Sequence, residues 1–312
     1  MIFYCSSQWI HFQKSSPVIE HSGRCCICCI HLTNNLFDQL TIDRLTSLTE
    51  DHKSKLETLK TILIGYDKVA IAYSGGVDSS LLLKVACGVL GENATAYFAD
   101  SIVQTAEEKD SALAFAQEIS AQLVILEFDI LTFPDFVKNP VDRCYFCKGK
   151  IFSEIVKKAA GSGVSIVADG TNLDDLSQFR PGAKAVGELG VRTPLVEAKL
   201  AKKDIRKISK SLGLSNWNKY SSSCLATRIA SGLAITPERL AIITKAEQYL
   251  QDRQFSGCRV RLDASSCVLE LSSGDICRFI NRRFEKDFMA LMNSLGIDKV
   301  LLDLKEREGV NI

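Results

Sequence analysis

Short apolar runs alternate with helical periods through the middle of the chain. The runs VAIAY, TAYFAD, LVILEFD and SIVAD begin at residues 69, 95, 123 and 165 and predict four buried strands. Apolar residues recur at helical spacing before the first run and between the others, and the helical segment KKDIRKISKSLGL closes the series near residue 214. Strands that alternate with helices predict right-handed crossovers and a parallel sheet covered on both faces.

The pattern changes after Arg228. A helix with a Thr-Pro start is predicted for TPERLAIITKAEQYLQD, followed by short strands at CRVRLD and CVLELS, a helical stretch from Gly274 to Leu295 and a last strand at DKVLLDL. This order is typical of an α+β domain. We therefore predict an α/β protein with an irregular N-terminal extension (1–55), a parallel-sheet domain (56–228) and a smaller α+β domain (229–312).

The N-terminal extension has no clear helical or strand period, yet it holds five of the twelve cysteines. It lacks the hydrophobic core and the small-residue cleavage site of a secretory signal. Its CCICC segment (25–29) does not favour a metal site, because adjacent cysteines seldom all reach one ion.

Composition narrows the chemistry. A formal net charge of +1 gives no support for nucleic-acid or membrane binding, and no apolar run approaches the roughly 20 residues that span a bilayer. No histidine follows His52, which excludes a Ser-His-Asp triad, a Cys-His dyad and a histidine-ligated zinc from the folded body. We expect a soluble, cytoplasmic protein that works with thiols, carboxylates, basic side chains and backbone dipoles.

The segment SGGVDSS (74–80) follows the first predicted strand and opens a helix. Gly75 and Gly76 carry no Cβ, so the backbone can bend there and bring its N–H groups close to an anion. The start of the helix adds the positive end of its dipole. Hydroxyl groups that can donate to phosphate oxygens belong to Ser74, Ser79 and Ser80.

Asp78 in this segment would repel a phosphate unless a magnesium ion lay between them, so the segment predicts a site for a magnesium–nucleotide complex. A Gly-Gly turn with serine and aspartate N-caps is the alternative. The order of strand, SGGxDS and helix favours the phosphate site. The Gly-Lys-Ser/Thr ending of the loop in P-loop kinases and GTPases is absent.

The loop resembles that of the PP-loop ATP pyrophosphatases, which include GMP and NAD synthetases and tRNA-thiolating enzymes. The resemblance implies that the loop holds the departing pyrophosphate while a substrate oxygen attacks the α-phosphorus of ATP. It places Asp100 and Ser101 beside the adenine or ribose. Ligands of open α/β sheets bind at the carboxyl ends of the strands, where the loop, Asp100 and Asp169 are expected.

RCYFCK (143–148) places two cysteines three residues apart. On spacing alone, Cys144 and Cys147 are a redox dithiol, half of a zinc site, two ligands of an iron–sulfur cluster, or two core thiols. Arg143 and Lys148 are expected to lower the pKa of these thiols. With no histidine in the body, a zinc site would need further cysteines or a carboxylate.

Three segments show which group of PP-loop enzymes the chain resembles most. They are RCYFCKGKIF (143–152), DGTNLDDLSQFRPGAKAVGELGVRTPL (169–195) and NWNKYSSSCLATRIASG (216–232). They are similar to the LarE family of PP-loop sulfur transferases. The resemblance implies an ATP-dependent sulfurtransferase that adenylates a carboxylate of a pyridinium dicarboxylate mononucleotide and inserts sulfur to give a thiocarboxylate. That reaction belongs to the biosynthesis of the nickel-pincer nucleotide cofactor.

Some LarE proteins destroy their own cysteine, whereas others use three cysteines to hold a 4Fe-4S cluster with one iron open for a deliverable sulfide. Cys144, Cys147 and Cys224 match the second pattern, so the resemblance implies three catalytic cysteines and the cofactors ATP, Mg²⁺ and 4Fe-4S. Sacrifice of Cys224 is the second interpretation, and a redox or structural pair is the third.

The resemblance also implies a phosphate site and a metal site at a subunit junction. Arg259 and Arg261 alternate on one face of a strand and would bind the phosphate of the substrate nucleotide. Thr227 and Arg228 would assist them, and Arg180 lies in the loop after the fourth strand, placed for nucleotide or substrate. The same loop carries Asn172 and Asp174. The acidic positions associated with metal are Glu247, Glu270 and Asp275. Exposed arginines, solvated carboxylates and Asx turns are the alternatives.

The family forms homohexamers, so the resemblance implies an oligomer that acts on a small-molecule nucleotide carboxylate. A tRNA-thiolating enzyme would need a basic face or an RNA-binding module, and neither is visible. An amidotransferase-type synthetase would usually draw ammonia from a glutaminase whose cysteine needs a histidine. A non-catalytic nucleotide-binding protein would bind ATP without releasing pyrophosphate.

Overall fold

The computed structural model describes residues 4–5, 8–9, 48–177, 181–219, 223–281 and 284–305. The chain divides into two compact units, Met1–Asp43 and Arg44–Ile312. In the first unit, β1 (Tyr4–Cys5) and β2 (Gln8–Trp9) form an antiparallel pair. The CCICC segment lies outside the described residues.

Four parallel strands form the central sheet of the second unit, as the sequence predicts. They are β3 (Val69–Ala72), β4 (Ala94–Asp100), β5 (Gln122–Glu127) and β6 (Val167–Asp169). Their order is β5-β4-β3-β6, and all neighbours are parallel. The strand order reverses between β3 and β6, so the crevice beyond the carboxyl ends of these two strands is the expected ligand position.

Alternate residues of β3 enter two apolar clusters, one on each side of the sheet. Val69 and Ile71 pack into the larger cluster, whereas Ala70 packs with Phe152 and Ile155. The helices of this part of the chain are α1 (Glu50–Ile64), α2 (Val77–Leu90), α3 (Ala106–Glu118), α4 (Pro134–Val137), α5 (Arg143–Gly161), α6 (Pro181–Glu188), α7 (Pro194–Glu197) and α8 (Lys202–Ser211).

A second, mixed sheet follows in the C-terminal part. Its elements are α9 (Pro237–Gln251), β7 (Arg259–Leu262), β8 (Ser266–Glu270), α10 (Ser273–Asn281), α11 (Phe284–Ser294) and β9 (Lys299–Leu302). β7 pairs antiparallel with β8, and β9 pairs parallel with β8. This sheet and its helices enclose a separate apolar cluster. The predicted fold class, a parallel-sheet α/β domain followed by a smaller α+β domain, is confirmed.

Two helix boundaries differ from the sequence prediction. The apolar period predicts a helix over KIFSEIVKKAA (150–160), but α5 begins earlier, at Arg143, so RCYFCK forms its first turns. The turn is started by the Arg143 and Tyr145 N–H groups, which donate to the carbonyls of Pro140 and Asp142. The predicted stretch from Gly274 to Leu295 contains two described helices, α10 and α11. Among the described residues, no helix is long and apolar enough to cross a membrane.

Candidate active site

The loop 74–80 leaves the carboxyl end of β3 and enters α2, and its shape depends on glycine. Gly75 has φ +72°, and a Cβ there would lie 2.6 Å from the Cβ of Ala112 in α3. Gly76 is the N-cap of α2 and provides no side-chain cap. The first N–H groups of α2 are therefore not capped by that residue and can receive an anion.

Hydrogen bonds among the serines hold this loop. The Ser79 hydroxyl donates to the Gly76 carbonyl at 3.1 Å, and the hydroxyls of Ser74 and Ser79 are 3.1 Å apart. On the other side of the loop lies Gly170, the residue directly after β6. A Cβ at Gly170 would lie 2.7 Å from the Ser79 nitrogen. The loop therefore lies against the end of β6, at the reversal of strand order.

Asp78 forms an ion pair that the sequence prediction did not include. The Lys202 ammonium donates to its Oδ2 at 2.5 Å, while its Oδ1 is buried without a partner among the described residues. Burial raises the pKa of Asp78, and Lys202 opposes this effect. Lys202 is the first residue of α8, and its backbone N–H donates to Asp174 at 2.8 Å. A carboxylate and an ammonium are therefore held together in the phosphate loop.

Two more residues that sequence reasoning missed contact this loop. Asn216 donates to the Ser80 hydroxyl at 2.7 Å, and Lys219 donates to the Gly75 carbonyl at 3.5 Å and to Ser111 at 3.2 Å. Both lie in the segment NWNK (216–219), at the start of a segment that resembles the LarE family but for which no site residue is predicted before Cys224. A polar segment directly before the SSSC cysteine motif was the available signal.

The polar residues at the ends of β4 and β6 lie at the carboxyl edge, as predicted. Asp100 forms an ion pair with Lys109. Ser101 is buried, and its hydroxyl has no partner among the described residues. Asp169 is buried and accepts from Thr171 N–H at 3.0 Å and Thr171 Oγ1 at 2.8 Å, and burial raises its pKa. Their contacts with a nucleotide stay predictions.

Cys144 and Cys147 lie on the first two turns of α5, and Cys224 is the N-cap of a short 3₁₀ turn, Leu225–Arg228. We call these three cysteines the thiol group. Cys147 and Cys224 both pack against the apolar cluster of the second sheet. Leu225 N–H donates to the Val103 carbonyl at 2.8 Å, which attaches the Cys224 turn to the loop after β4. The thiol group is therefore joined to the carboxyl edge of the main sheet.

Burial, with a smaller contribution from the neighbouring Cys224 and Cys144, raises the pKa of Cys147 to about 12. Burial also raises the pKa of Cys224, with Cys144 adding to the effect. Arg143 and Lys148 act in the predicted direction on Cys147 but do not outweigh burial, so the expectation of a lowered pKa is wrong. Cys144 is close enough to influence both of these thiols, and the raised pKa values keep Cys147 and Cys224 neutral at pH 7. No three His, Cys, Asp or Glu side chains of the described residues are already arranged to hold a metal.

Arg228 and Glu247 form a buried ion pair below the Cys224 turn. Arg228 Nε donates to Glu247 Oε1 at 3.1 Å, and its Nη1 donates to the Cys224 carbonyl at 3.1 Å and to Ser223. Glu247 Oε1 also accepts from Val260 N–H at 3.0 Å. These contacts give both residues a structural role. The substrate role of Arg228 and the metal role of Glu247 stay predictions.

Two predicted arginines and Thr227 lie on or beside strand β7 of the second sheet. Arg259 and Arg261 share the face of β7 opposite to the buried Val260 and Leu262. Arg261 is paired with Glu270 on β8 and donates to the Thr227 carbonyl at 3.0 Å. Thr227 donates to the Cys224 carbonyl at 2.8 Å.

Asp275 accepts from Arg278 at 3.0 Å. In the loop after β6, Asn172 accepts from Asp174 N–H at 2.9 Å, an Asx turn. Arg180 lies outside the described residues.

Two related proteins match most of the chain. An uncharacterized protein of Synechocystis sp. is 38% identical over 253 residues, which cover 81% of this chain and 94% of that protein. The pyridinium-3,5-bisthiocarboxylic acid mononucleotide synthase of Lactiplantibacillus plantarum is 36% identical over 254 residues, covering 80% of this chain and 91% of the synthase.

More distant similarity extends to GMP synthases. The glutamine-hydrolyzing GMP synthase of Campylobacter hominis is 28% identical over 239 residues, which cover 70% of this chain but only 46% of the synthase. No family model matches the chain.

Proposed function

Because the chain belongs to the LarE family of PP-loop ATP-dependent sulfur transferases, we propose that it adenylates a carboxylate of a pyridinium dicarboxylate mononucleotide and replaces the oxygen with sulfur. The product is a thiocarboxylate used in the biosynthesis of the nickel-pincer nucleotide cofactor. The observation that carries the proposal is the hydrogen bond from Leu225 to Val103, because it attaches the turn of Cys224 to the edge that bears the phosphate loop.

In the first step, a carboxylate oxygen attacks the α-phosphorus of ATP and the bond to pyrophosphate breaks. The N–H groups at the start of α2 and the ammonium of Lys202, which contacts Asp78 in the loop, would stabilise the leaving charge. One such fixed donor commonly lowers a barrier by about 3 kcal/mol. The bound ATP would draw Lys202 away from Asp78, since phosphate competes for the same ammonium.

Magnesium fits the donor chemistry of this loop. The buried Oδ1 of Asp78 lacks a partner among the described residues, and a carboxylate oxygen is a ligand that Mg²⁺ prefers. We propose that Asp78 holds Mg²⁺ with the nucleotide. The ion would neutralise charge on the phosphates.

In the second step, a sulfur nucleophile attacks the carbonyl carbon of the adenylated substrate, and the bond to AMP breaks. Cys147 and Cys224 pack against the apolar cluster of the second sheet, which would limit the water that hydrolyses the adenylate. Because burial keeps Cys147 and Cys224 neutral, each would have to lose its proton to bind a metal or to act as a nucleophile.

We propose that Cys144, Cys147 and Cys224 hold a 4Fe-4S cluster. Three neighbouring thiols supply the soft ligands that iron–sulfur clusters use, and three leave one iron open. When bound, the cluster would supply a sulfide on that iron for transfer. Sacrifice of Cys224 is the alternative: its sulfur would bond to the carbonyl carbon, and loss of the Cα proton would break the Cβ–S bond and leave dehydroalanine.

We also propose that the substrate phosphate lies near Arg259 and Arg261 on the open face of β7, with Thr227 close by through its carbonyl contact to Arg261. From the family resemblance we also propose a homo-oligomer in which the Arg259 and Arg261 face of β7 contacts another subunit. Light scattering coupled to size-exclusion chromatography tests the assembly.

The experiment uses the full chain, prepared without oxygen, with ATP, Mg²⁺ and the dicarboxylate mononucleotide. We expect pyrophosphate release that depends on the carboxylate, together with a product in which one oxygen has become sulfur, detected by mass spectrometry. Release of pyrophosphate with tRNA but not with the mononucleotide would overturn the proposed substrate. No release with any nucleotide carboxylic acid would overturn the activity.

Cys224→Ala separates the two steps. We expect it to keep pyrophosphate release and to lose the sulfur-containing product, because the hydrogen bonds described for the Cys224 turn go to Val103, Thr227 and Arg228, outside the phosphate loop. Iron and sulfide analysis of the wild-type protein then separates the two sulfur sources. About four irons per chain support the cluster, whereas a colourless protein that loses the mass of sulfur from Cys224 supports sacrifice.

A further inference from the structure

Asn139 occupies a buried corner between α4 and α5. It has no exposed surface and φ +54°, a left-handed conformation that asparagine tolerates better than most residues. Its N–H donates to the Phe136 carbonyl at 2.9 Å and closes α4, and α5 begins a few residues later with the dithiol. Asn139 therefore fixes the direction in which the chain enters the helix that carries Cys144 and Cys147.

The side chain of Asn139 binds a second segment that is distant in sequence. Its amide donates to the carbonyls of Ile229 at 3.2 Å, Ala230 at 2.8 Å and Leu233 at 3.0 Å. An amide carries two hydrogens, so these three acceptors share them. The backbone adds a bond from Gly232 N–H to the Asn139 carbonyl at 2.8 Å.

The acceptors follow directly after the turn Leu225–Arg228 that Cys224 begins. Asn139 thus contacts both segments that carry the thiol group. The Cys144–Cys147 spacing is set within α5, one helical turn, and needs no help from Asn139. The spacing between Cys147 and Cys224 has no such local origin.

We propose that Asn139 is a positioning residue that sets the distance between the dithiol of α5 and Cys224. Cys147 and Cys224 pack against the same apolar cluster, which agrees with this closeness. The use of that distance in sulfur transfer rests on the proposed function, but the distance itself does not. Asn139 acts through the two backbone segments and touches no reacting atom.

The test measures thiol spacing directly in the full chain. Dibromobimane is a short reagent that fluoresces when it joins two thiols. It is applied to protein that has been prepared with its thiols free and reduced, and the joined cysteines are identified by peptide mapping. In the wild type we expect both Cys144–Cys147 and Cys147–Cys224 products. In Asn139→Gly, which keeps the positive φ but removes the amide, we expect the Cys147–Cys224 yield to fall several-fold.

The Cys144–Cys147 product is the internal control, because its spacing lies within one helix and should be unchanged. Ile243→Val, in the same apolar cluster, controls for loss of stability and should keep both products. Asn139→Asp has nearly the same shape but directs an acceptor at three carbonyls, so it should resemble the glycine variant. An equal Cys147–Cys224 yield in the wild type and Asn139→Gly, or its absence from the wild type, would overturn the proposal.

A second measurement relates the Cys147–Cys224 distance to the rate of thiocarboxylate formation. In Asn139→Gly we expect thiocarboxylate formation to fall about 10- to 100-fold, as for a misplacement near 1 Å, with pyrophosphate release unchanged. A parallel loss of both activities would indicate a merely structural role. If the wild type forms no thiocarboxylate while the cross-link depends on Asn139, the proposed function fails and the positioning role stands.

Discussion

The phosphate loop and the thiol group lie at the same edge of the sheet but are organised differently. The loop 74–80 takes its shape from bonds between its own serines and from a glycine with positive φ, and Lys202 and Asn216 contact it from distant segments. Its Ser74 is exposed. The thiol group is assembled from α5 and the Cys224 turn by contacts between distant segments, and it lies against an apolar cluster.

This difference separates two tasks of one reaction. The loop must meet a charged, hydrated nucleotide, and backbone N–H groups can do this without deep burial. The sulfur site must protect a reactive adenylate from water, so Cys147 and Cys224 pack against an apolar cluster, and burial raises the pKa of both thiols. Changes in the loop should therefore affect adenylation, whereas changes around the thiols should affect stability and sulfur transfer.

The largest expected effect is on stability. Arg228→Met leaves Glu247 charged and buried without its cation, and loss of one partner of a buried pair costs about 3–5 kcal/mol of unfolding free energy. Denaturant unfolding of the full chain measures this. The double variant Arg228→Met/Glu247→Met should recover part of the loss. A single variant of normal stability with a raised KM for the nucleotide would favour the predicted substrate contact instead.

Gly75→Ala should reduce pyrophosphate release by at least about 100-fold, as for the loss of a fixed donor to the leaving charge. Its Cβ would overlap the Cβ of Ala112, and its positive φ is strained for alanine, so the backbone of the loop must move. Gly88→Ala is the matched control, because Gly88 lies in α2, the helix that the loop enters, and nothing lies within 4 Å of its Cβ position. Equal rates in the two variants would contradict the role given to the loop.

Lys202→Met should weaken ATP binding about tenfold, within the range of a lost hydrogen bond to a charged group. The variant removes both the partner of Asp78 and a donor near the phosphates. Isothermal titration measures the affinity, and the exposed neighbour Lys203→Met should bind like the wild type. If both variants lose affinity equally, general surface charge is responsible.

The smallest expected effect is the pH dependence of the alkylation rate of Cys147. The pKa of Cys147 is raised from 9.0 to about 12, so its alkylation by iodoacetamide should rise about tenfold per pH unit from 7 to 10 without a plateau. Because the folded pKa is the higher one, the neutral thiol contributes stability below about pH 9 that is lost as pH rises towards 12. A rate that levels off near pH 7 would show an ionised thiol.

The fold and the phosphate loop could be predicted because their signals are local. Buried strands read as continuous apolar runs, and Gly75 and Ser79 act within a few residues of each other. The start of α5 could not be predicted, because RCYFCK lacks a clean apolar period. Lys202 was missed for a different reason: its partner Asp78 is far away in sequence, and an isolated lysine in a basic helix resembles a solvated one.

By itself, the sequence determined the alternation of strands and helices, the glycine-shaped turn for an anion and the supply of three cysteines. Each of these depends on a residue's own conformational range or on the period of its neighbours. The tertiary structure alone decided that burial outweighs Arg143 and Lys148 at the thiols, and that Arg228 binds Glu247. Desolvation and ion pairing depend on which distant groups the fold brings together, so spacing along the chain could not reveal them.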